Sequence, residues 1–206
     1  MTFRPLGSQI SYFLKSRGVT HIFGIPGVHN QELYRGIQEA GLANVLARHE
    51  QGAGFMADGY ARATSKPGVA YVITGPGLCN IMTPMGQAYS DSVPMIVISS
   101  CLDEVVVRRG QLHQMLDQEA AADTVCDWSK TANSAQAAYD LLERAFEEFK
   151  SCRARPKHIQ VPISQLQKSA PGFQNERPYF CPKYYDTENI ERAAKLLIHA
   201  SRPLFI

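Results

Sequence analysis

The chain has 206 residues, enough for one domain with a sizeable core and for the beginning of a second. Its 21 basic and 19 acidic residues give a net charge of +2 and are spread along the sequence, so no charged block predicts binding to nucleic acid or to an anionic membrane. No apolar run approaches the roughly 20 residues of a membrane-spanning helix, and the N-terminal residues lack the uninterrupted apolar core of a signal peptide. The five scattered cysteines form no CxxC pair, which favours a soluble protein in a reduced cytoplasm.

Short apolar strands alternate with helices along most of the chain. The helices have apolar residues at intervals of three and four, whereas several strands are continuous apolar runs. The predicted elements, in chain order, are a helix around 6–14, a strand at 20–23, a helix at about 30–40, a strand at 44–47, a helix around 53–61, a strand at 69–73, a helix at about 79–90, a strand at 95–98, a loop-rich stretch from 101 to about 130, a helix around 138–149 and a strand at 158–161.

Two of the strands, 69–73 and 95–98, must be covered on both faces because they are apolar throughout. Crossover helices between parallel strands provide such cover. The sequence therefore predicts an α/β fold, with a doubly wound, mainly parallel six-stranded sheet and helices on both faces.

The alternation breaks once, in a segment rich in proline and polar residues. We predict a first domain at 1–168, a linker at 169–186 and the truncated start of a second domain at 187–206. The last residues, 203–206, have the pattern of an apolar strand, and a chain that stops inside a strand leaves an unpaired edge. The expectation is that these residues are a fragment of a longer protein.

Three glycine-rich segments follow predicted strands: GIPG at 24–27, HEQGAGFMADGYAR at 49–62 and TGPGLCN at 74–80. The carboxyl ends of parallel strands share one rim of the sheet, where ligands bind in doubly wound folds. A turn of this kind can also serve backbone geometry alone. None matches GxxxxGK[ST] or GxGxxG, which argues against a nucleotide-binding domain, and Ala53 stands where a zinc protease with an HExxH motif has its second histidine.

Taken together, the three segments and AYSDSVPMIVIS at 88–99 resemble the pyrimidine-binding domain of thiamine-diphosphate enzymes, the family of acetolactate synthases, pyruvate oxidases, benzaldehyde lyase and 2-oxo acid decarboxylases. The resemblance covers about the first 165 residues. The segments GIPGVHNQELYRGI and GQLHQ are most similar to decarboxylases of the ketoarginine (5-guanidino-2-oxopentanoate) type. A guanidinium substrate would need an acidic pocket, which the sequence does not locate.

The resemblance implies that Glu50 activates the cofactor. In the family a carboxylate hydrogen-bonds N1′ of the pyrimidine and favours the imino tautomer of the 4′-amino group, which takes the proton from C2 of the thiazolium. The plainer interpretation is a glutamate that opens a helix and complements its dipole.

Further site residues follow from the same resemblance. His29, directly after the GIPG turn, and Gln114 are candidates to steer the reacting centre, while His113 stands where many acetolactate synthases have phenylalanine. An exposed or helix-capping histidine is the alternative for His29. The predicted cofactor-binding residues are Pro26, Gly27, Glu50, Thr74, Gly75, Pro76, Gly77 and Asn80.

The implied partners lie partly outside this chain. The cofactor's diphosphate and Mg²⁺ would be held by a C-terminal domain that is absent here, usually from a partner subunit, so a homodimer or tetramer through the pyrimidine-binding domain is expected and the fragment alone should be inactive. The small-molecule substrate would be a 2-oxo acid, and binding of a flavin is left undetermined. Alternatives are an acetolactate synthase-like carboligase or C–C lyase, and a non-catalytic assembly module that keeps the fold.

Overall fold

A computed structural model describes residues 2–103, 109–174 and 186–204. The strands are β1 (Arg4–Pro5), β2 (His21–Gly24), β3 (Ala43–Leu46), β4 (Gly68–Val72), β5 (Met95–Cys101), β6 (Trp128–Thr131), β7 (Lys157–Pro162) and β8 (Ser169–Ala170). The helices are α1 (Leu6–Ser16), α2 (Gln31–Glu39), α3 (Glu50–Thr64), α4 (Pro76–Asp91), α5 (Gln118–Asp123), α6 (Ala135–Ser151), α7 (Ile163–Gln167) and α8 (Thr187–His199).

Six strands form one parallel sheet in the order β3-β2-β4-β5-β7-β6, which confirms the predicted fold. The chain runs from β2 outward to β3 and then returns to place β4 on the other side of β2. This reversal is a topological switch point, and ligands bind beyond the carboxyl ends of the strands at such points.

The sixth strand corrects the sequence interpretation. Residues from 101 to about 130 were expected to be loop-rich, but they include α5 and the edge strand β6. Strand β6 has only four residues, and one of its inner positions is the exposed Lys130, so it carries little apolar pattern to detect.

Successive residues of the central strand β4 pack into two separate cores. Val69 and Tyr71 join the core under α1, α2 and α6. Ala70 and Val72 join the core under α3 and α4 on the opposite face. This alternation is the geometric result of the strand's two-residue period, and it explains why β4 is buried throughout.

Helix α3 lies unusually close to its neighbours because its inward residues are small. A Cβ at Gly54 would overlap the ring of Pro84 on α4, and a Cβ at Gly68 would overlap the carbonyl group of Ala57 on α3. The close contacts fix the position of the first residue of α3, Glu50.

The C-terminal elements differ from the expectation in part. Ser169 and Ala170, which begin the predicted linker, pair with β1 in a small antiparallel ribbon. Most of that linker, residues 175–185, lies outside the described residues. Beyond the linker, α8 forms a helix whose residues are all exposed. Of the strand predicted at 203–206, the first two residues are not in a strand and the last two lie outside the described residues.

Among the described residues, no helix combines the length and the apolar character needed to span a bilayer.

Candidate cofactor site

Glu50 is the first residue of α3, directly beyond the carboxyl end of β3. His49 caps this helix, and its Nδ1 accepts a hydrogen bond from the backbone N–H of Gln51 at 3.1 Å. The partly buried Glu50 carboxylate accepts a hydrogen bond on Oε2 from Nδ2 of Asn80 at 2.9 Å. Within the described part of the chain, Oε1 accepts no hydrogen bond, so one carboxylate oxygen is held and the other can meet a ligand.

The turn after β2 is held by a buried asparagine. Asn30 Oδ1 accepts a hydrogen bond from the N–H of Gly27 at 2.7 Å, and its Nδ2 donates to the carbonyl oxygen of Ile25 at 3.3 Å. Both bonds lie within five residues, so the turn is largely specified by local sequence. The result is a rigid GIPG turn on one side of the rim.

The turn after β4 is shaped by two glycines. Gly75 caps α4 with φ +66°, a left-handed backbone conformation that favours glycine. At Gly77 an added Cβ would lie 2.7 Å from Cγ2 of Ile73 and 3.5 Å from Oε1 of Glu50. A larger residue at 77 would fill the space beside the Glu50 carboxylate, so the absence of a side chain leaves room there for a flat ring.

The same turn is supported from β5 and α5. Gly75 donates its backbone N–H to Oε1 of Gln118 at 2.8 Å. Thr74 donates both its N–H, at 3.1 Å, and its hydroxyl, at 2.9 Å, to Oγ of Ser100. Thr74 is 2% exposed, so these hydrogen bonds hold the turn from its buried side.

Two histidines meet at the rim. The rings of His29 and His113 lie 5.3 Å apart between centroids and are nearly perpendicular. Burial and, secondly, the charge of His113 lower the pKa of His29 below its ordinary value. Nearby, Tyr34 donates a hydrogen bond to the carbonyl oxygen of Tyr71 at 3.2 Å. The pKa of Tyr34 is raised, first by burial and then by Tyr71 and Glu50, so its hydroxyl stays protonated.

A cavity of about 430 Å³ opens beside these turns, between α5 and the ends of β5, β6 and β7. Gln114 and Gln118 both line it. Gln114 Oε1 accepts a hydrogen bond from the N–H of Gln111 at 3.2 Å, within its own loop. This contact lies within the loop, so the role of Gln114 near the reacting centre stays a prediction.

Three carboxylates line the same cavity, and each is engaged by the chain. Asp117 accepts from the N–H of Ala120 at 2.9 Å, and Asp123 accepts from the N–H of Ser129 at 2.9 Å. Glu119 accepts a hydrogen bond from the hydroxyl of Thr131 and lies 3.7 Å from the ammonium group of Lys130. Each of the three acids therefore has a contact that contributes to local structure.

The structure brings most of the sequence-predicted residues to one end of the sheet. Gly27 and Gly77 both lie against Ile73, and Gly77 and Asn80 both lie beside Glu50. Gly75 lies against the backbone of His113. Pro26 and Pro76 are exposed at the two turns. Sequence reasoning did not single out Asn30, Gln118 or Ser100. Asn30 was detectable as an Asx residue next to a proline-glycine turn, whereas Gln118 and Ser100 act across long sequence separations and carry no local pattern.

A carboxylate that opens a helix at the switch point, flanked by two glycine turns, agrees with the class of cofactor-binding domain expected from the motifs. Residues 4–121 match the family model for the thiamine pyrophosphate enzyme, N-terminal TPP binding domain. The chain belongs to this family.

Curated relatives include decarboxylases and carboligases. A probable 2-ketoarginine decarboxylase of Pseudomonas aeruginosa is 43% identical over 209 residues, covering 97% of this chain and 36% of the relative. The acetolactate synthase large subunit of Haemophilus influenzae is 32% identical over 203 residues, with 93% and 34% covered. A glyoxylate carboligase of Escherichia coli O157:H7 is 30% identical over 205 residues, with 95% and 33% covered. The chain thus spans about a third of the length of these relatives.

Proposed function

We propose that this chain is the cofactor-activating, N-terminal part of a thiamine-diphosphate-dependent 2-oxo acid decarboxylase that acts on a guanidino 2-oxo acid. The observation that carries the proposal is the Glu50 carboxylate, which stands between the two glycine turns with Oε2 held by Asn80. The substrate class is supported by the similarity to the ketoarginine decarboxylase of Pseudomonas aeruginosa.

The described residues fit an aminopyrimidine ring. Oε1 of Glu50 has room beside Gly77 and would hold a proton at N1′ of the pyrimidine. Gly27 packs against Ile73, which also contacts Gly77, and Gly75 packs against the backbone of His113, so both glycines belong to the turns that flank this space. When bound, the cofactor supplies the electron sink that lets carbon dioxide leave a 2-oxo acid. His29 and Gln114 are proposed to orient or protonate the reacting atoms.

The remaining parts of the site are proposed to come from outside this chain. A C-terminal domain would hold the diphosphate and Mg²⁺, and the pyrimidine-binding domain would join a homodimer or tetramer in the cytoplasm. The domain division at 1–168, 169–186 and 187–206 belongs to the same proposal. We expect the 206-residue chain alone to release no carbon dioxide from a 2-oxo acid.

The decisive experiment is Glu50→Gln in the full-length protein, assayed for carbon dioxide release from a panel that includes pyruvate and 5-guanidino-2-oxopentanoate. We expect kcat to fall by at least about 10²-fold, because the amide cannot hold the proton at N1′. Glu39→Gln is the matched control, since Glu39 is a solvent-exposed residue at the end of α2. Unchanged turnover in Glu50→Gln would contradict the role of Glu50.

An acetolactate synthase-like carboligase is the second candidate, supported by the relatives of that name. The same panel separates the two, because a carboligase joins two substrate molecules after carbon dioxide is lost. Acetolactate formed from pyruvate, without aldehyde release from the guanidino acid, would favour it. Binding of thiamine diphosphate without turnover of any 2-oxo acid would instead favour a non-catalytic module.

A further inference from the structure

The cavity between α5 and the ends of β5, β6 and β7 lies directly beside the cofactor turn. Its volume of about 430 Å³ is in the range of pockets that hold a small organic ligand. Thr74 and Gln118 line the cavity, and both belong to the support of the turn. Thr74 directly precedes Gly75, and Gln118 Oε1 accepts the N–H of Gly75 at 2.8 Å. One hydrogen bond therefore separates the wall of this cavity from the candidate cofactor site.

The charged groups that line the cavity are mostly acidic. Among the described residues they are three carboxylates and one ammonium group, those of Asp117, Glu119, Asp123 and Lys130. Glu119 and Asp123 are four residues apart on α5, so they lie on one face of that helix. Like charges at this spacing repel each other, and a cation bound between them removes the repulsion. The lining therefore favours a positively charged ligand over an anion.

These acids support the fold and still have oxygen atoms for a ligand. Asp117 and Asp123 each accept one backbone N–H on Oδ1. Within the described ranges of the chain, the Oδ2 atom of each accepts no hydrogen bond. Oε1 of Glu119 lies 3.7 Å from the ammonium group of Lys130, which is 50% exposed, and an exposed pair of this kind is weak. A cationic ligand can thus bind these oxygens without displacing a strong contact.

A second observation is the apolar and sulfur-containing part of the lining. Cys101, Leu102 and Met115 supply hydrocarbon and sulfur surface to the cavity. Cys101 is 4% exposed, and its thiol has no hydrogen-bond partner among the residues that the structure describes. Burial, followed by the charges of Asp103 and Glu119, raises the pKa of this thiol to about 12, so it is neutral. An enclosed, neutral and unpaired thiol is suited to contact with the alkyl part of a ligand.

We propose that this cavity is the subsite for the guanidinium group of the 2-oxo acid substrate, which the carboxylates of Glu119 and Asp123 bind. The inference rests on the proposed function and locates the charged end of that substrate. A guanidinium is planar and always charged, and it binds carboxylates through parallel N–H···O hydrogen bonds. The methylene groups of 5-guanidino-2-oxopentanoate lie against Cys101 and Leu102, and its 2-oxo acid group extends past Gln118 towards the cofactor turn.

The first test measures binding without turnover. Isothermal titration calorimetry of the full-length protein should give a dissociation constant for 4-guanidinobutanoate at least about tenfold below that for 4-ureidobutanoate, which has the same shape but no positive charge. Asp123→Asn should remove most of this preference, while its amide oxygen still accepts the N–H of Ser129. Asp140→Asn is the matched control, since Asp140 is exposed on α6. Equal affinity of the unaltered protein for the two ligands overturns the subsite.

The second test compares two substrates in the full-length protein. Glu119→Gln should raise KM for 5-guanidino-2-oxopentanoate by about 10- to 100-fold, with a much smaller effect on kcat, because the lost contact serves ground state and transition state alike. The KM for 5-ureido-2-oxopentanoate should rise far less. Glutamine still accepts the hydroxyl of Thr131, so α5 stays attached to β6. An equal rise in KM for both substrates would mean that Glu119 acts only through the fold, and the proposal would be wrong.

The type of inhibition separates a substrate subsite from a regulatory site. We expect 4-guanidinobutanoate to inhibit turnover of the guanidino acid competitively. Noncompetitive inhibition would place the cation at a separate site and contradict the subsite. If the unaltered protein released no carbon dioxide from any 2-oxo acid, the proposed function would fail, while the calorimetric preference for the guanidinium ligand would stand or fall by itself.

Discussion

Two parts of the sheet, an open half at its carboxyl rim and a satisfied half within β5, β6 and β7, use similar residues in opposite ways. In the open half, in the segments that follow β2, β5 and β3, His29 and His113 each have a buried ring nitrogen, and Glu50 has a carboxylate oxygen, without a hydrogen-bond partner among the described residues. In the satisfied half, His158 lies within β7 and both its ring nitrogens are hydrogen-bonded, Nε2 to Oγ of Ser99 at 2.8 Å and Nδ1 to Oγ of Ser129 at 2.7 Å.

The open half therefore has polar atoms that are available for a ligand, whereas the polar atoms around His158 in the satisfied half bond one another. Burial lowers the pKa of His158 to about 3, so this ring stays neutral at ordinary pH. Gln118 joins the halves: its amide donates to Ser100 O and to Gln160 Oε1, and its carbonyl oxygen accepts from Gly75 N–H. The satisfied half thereby positions a turn of the open half.

The largest effect should come from removing that link. Gln118→Met keeps the length of the side chain but leaves several buried groups without partners, including the Gly75 N–H. At about 1–3 kcal/mol for each unpaired group, we expect the unfolding free energy to fall by about 3 kcal/mol. Urea denaturation of the chain measures this. Gln136→Met, on the exposed surface of α6, should change stability by less than about 0.5 kcal/mol. Equal stability of both variants would mean that the halves are independent.

A smaller effect should appear in the pH dependence of stability. The pKa of His158 is lowered in the folded state, so the unfolded state binds its proton first as pH falls below about 6.5. The unfolding free energy should therefore decline towards low pH, by up to about 1.4 kcal/mol per pH unit from this residue, until pH nears 3. Denaturation at pH 7.5, 6 and 5 checks this. His158→Gln should lack this part of the slope, and parallel slopes in the two proteins would show that His158 is not buried as a neutral ring.

The smallest effect is expected on the open half. His29→Gln removes a ring whose Nδ1 has no partner among the described residues, so stability should change by less than about 0.5 kcal/mol. His158→Gln is the comparison, because it disturbs the bonds to Ser99 and Ser129 and should destabilise far more. If His29→Gln cost as much in urea denaturation as His158→Gln, the distinction between the halves would fail.

The parallel α/β fold and the family were predictable because their signals are local. Continuous apolar strands, helical spacing and glycine turns such as TGPG each occupy a few consecutive residues. Glu50 could be singled out as the candidate carboxylate for the same reason, since it lies inside a motif. The edge strand β6 was not predicted because it is short and partly polar. Helix α5, which precedes it, was not predicted because it has only six residues.

By itself the sequence determined most of the order of elements, the glycine turns and the candidate carboxylate, since period and turn chemistry are properties of neighbouring residues. Only the tertiary structure decided which side chains meet. Gln118 reaches Gly75 across 43 positions, and His113 reaches His29 across a crossover of the sheet. These contacts form only because the strand order brings the loops together and because residue 75 is a glycine, which leaves space for the backbone of His113. The same residue type, histidine, is therefore a buried support at 158 and part of the candidate cofactor site at 29 and 113.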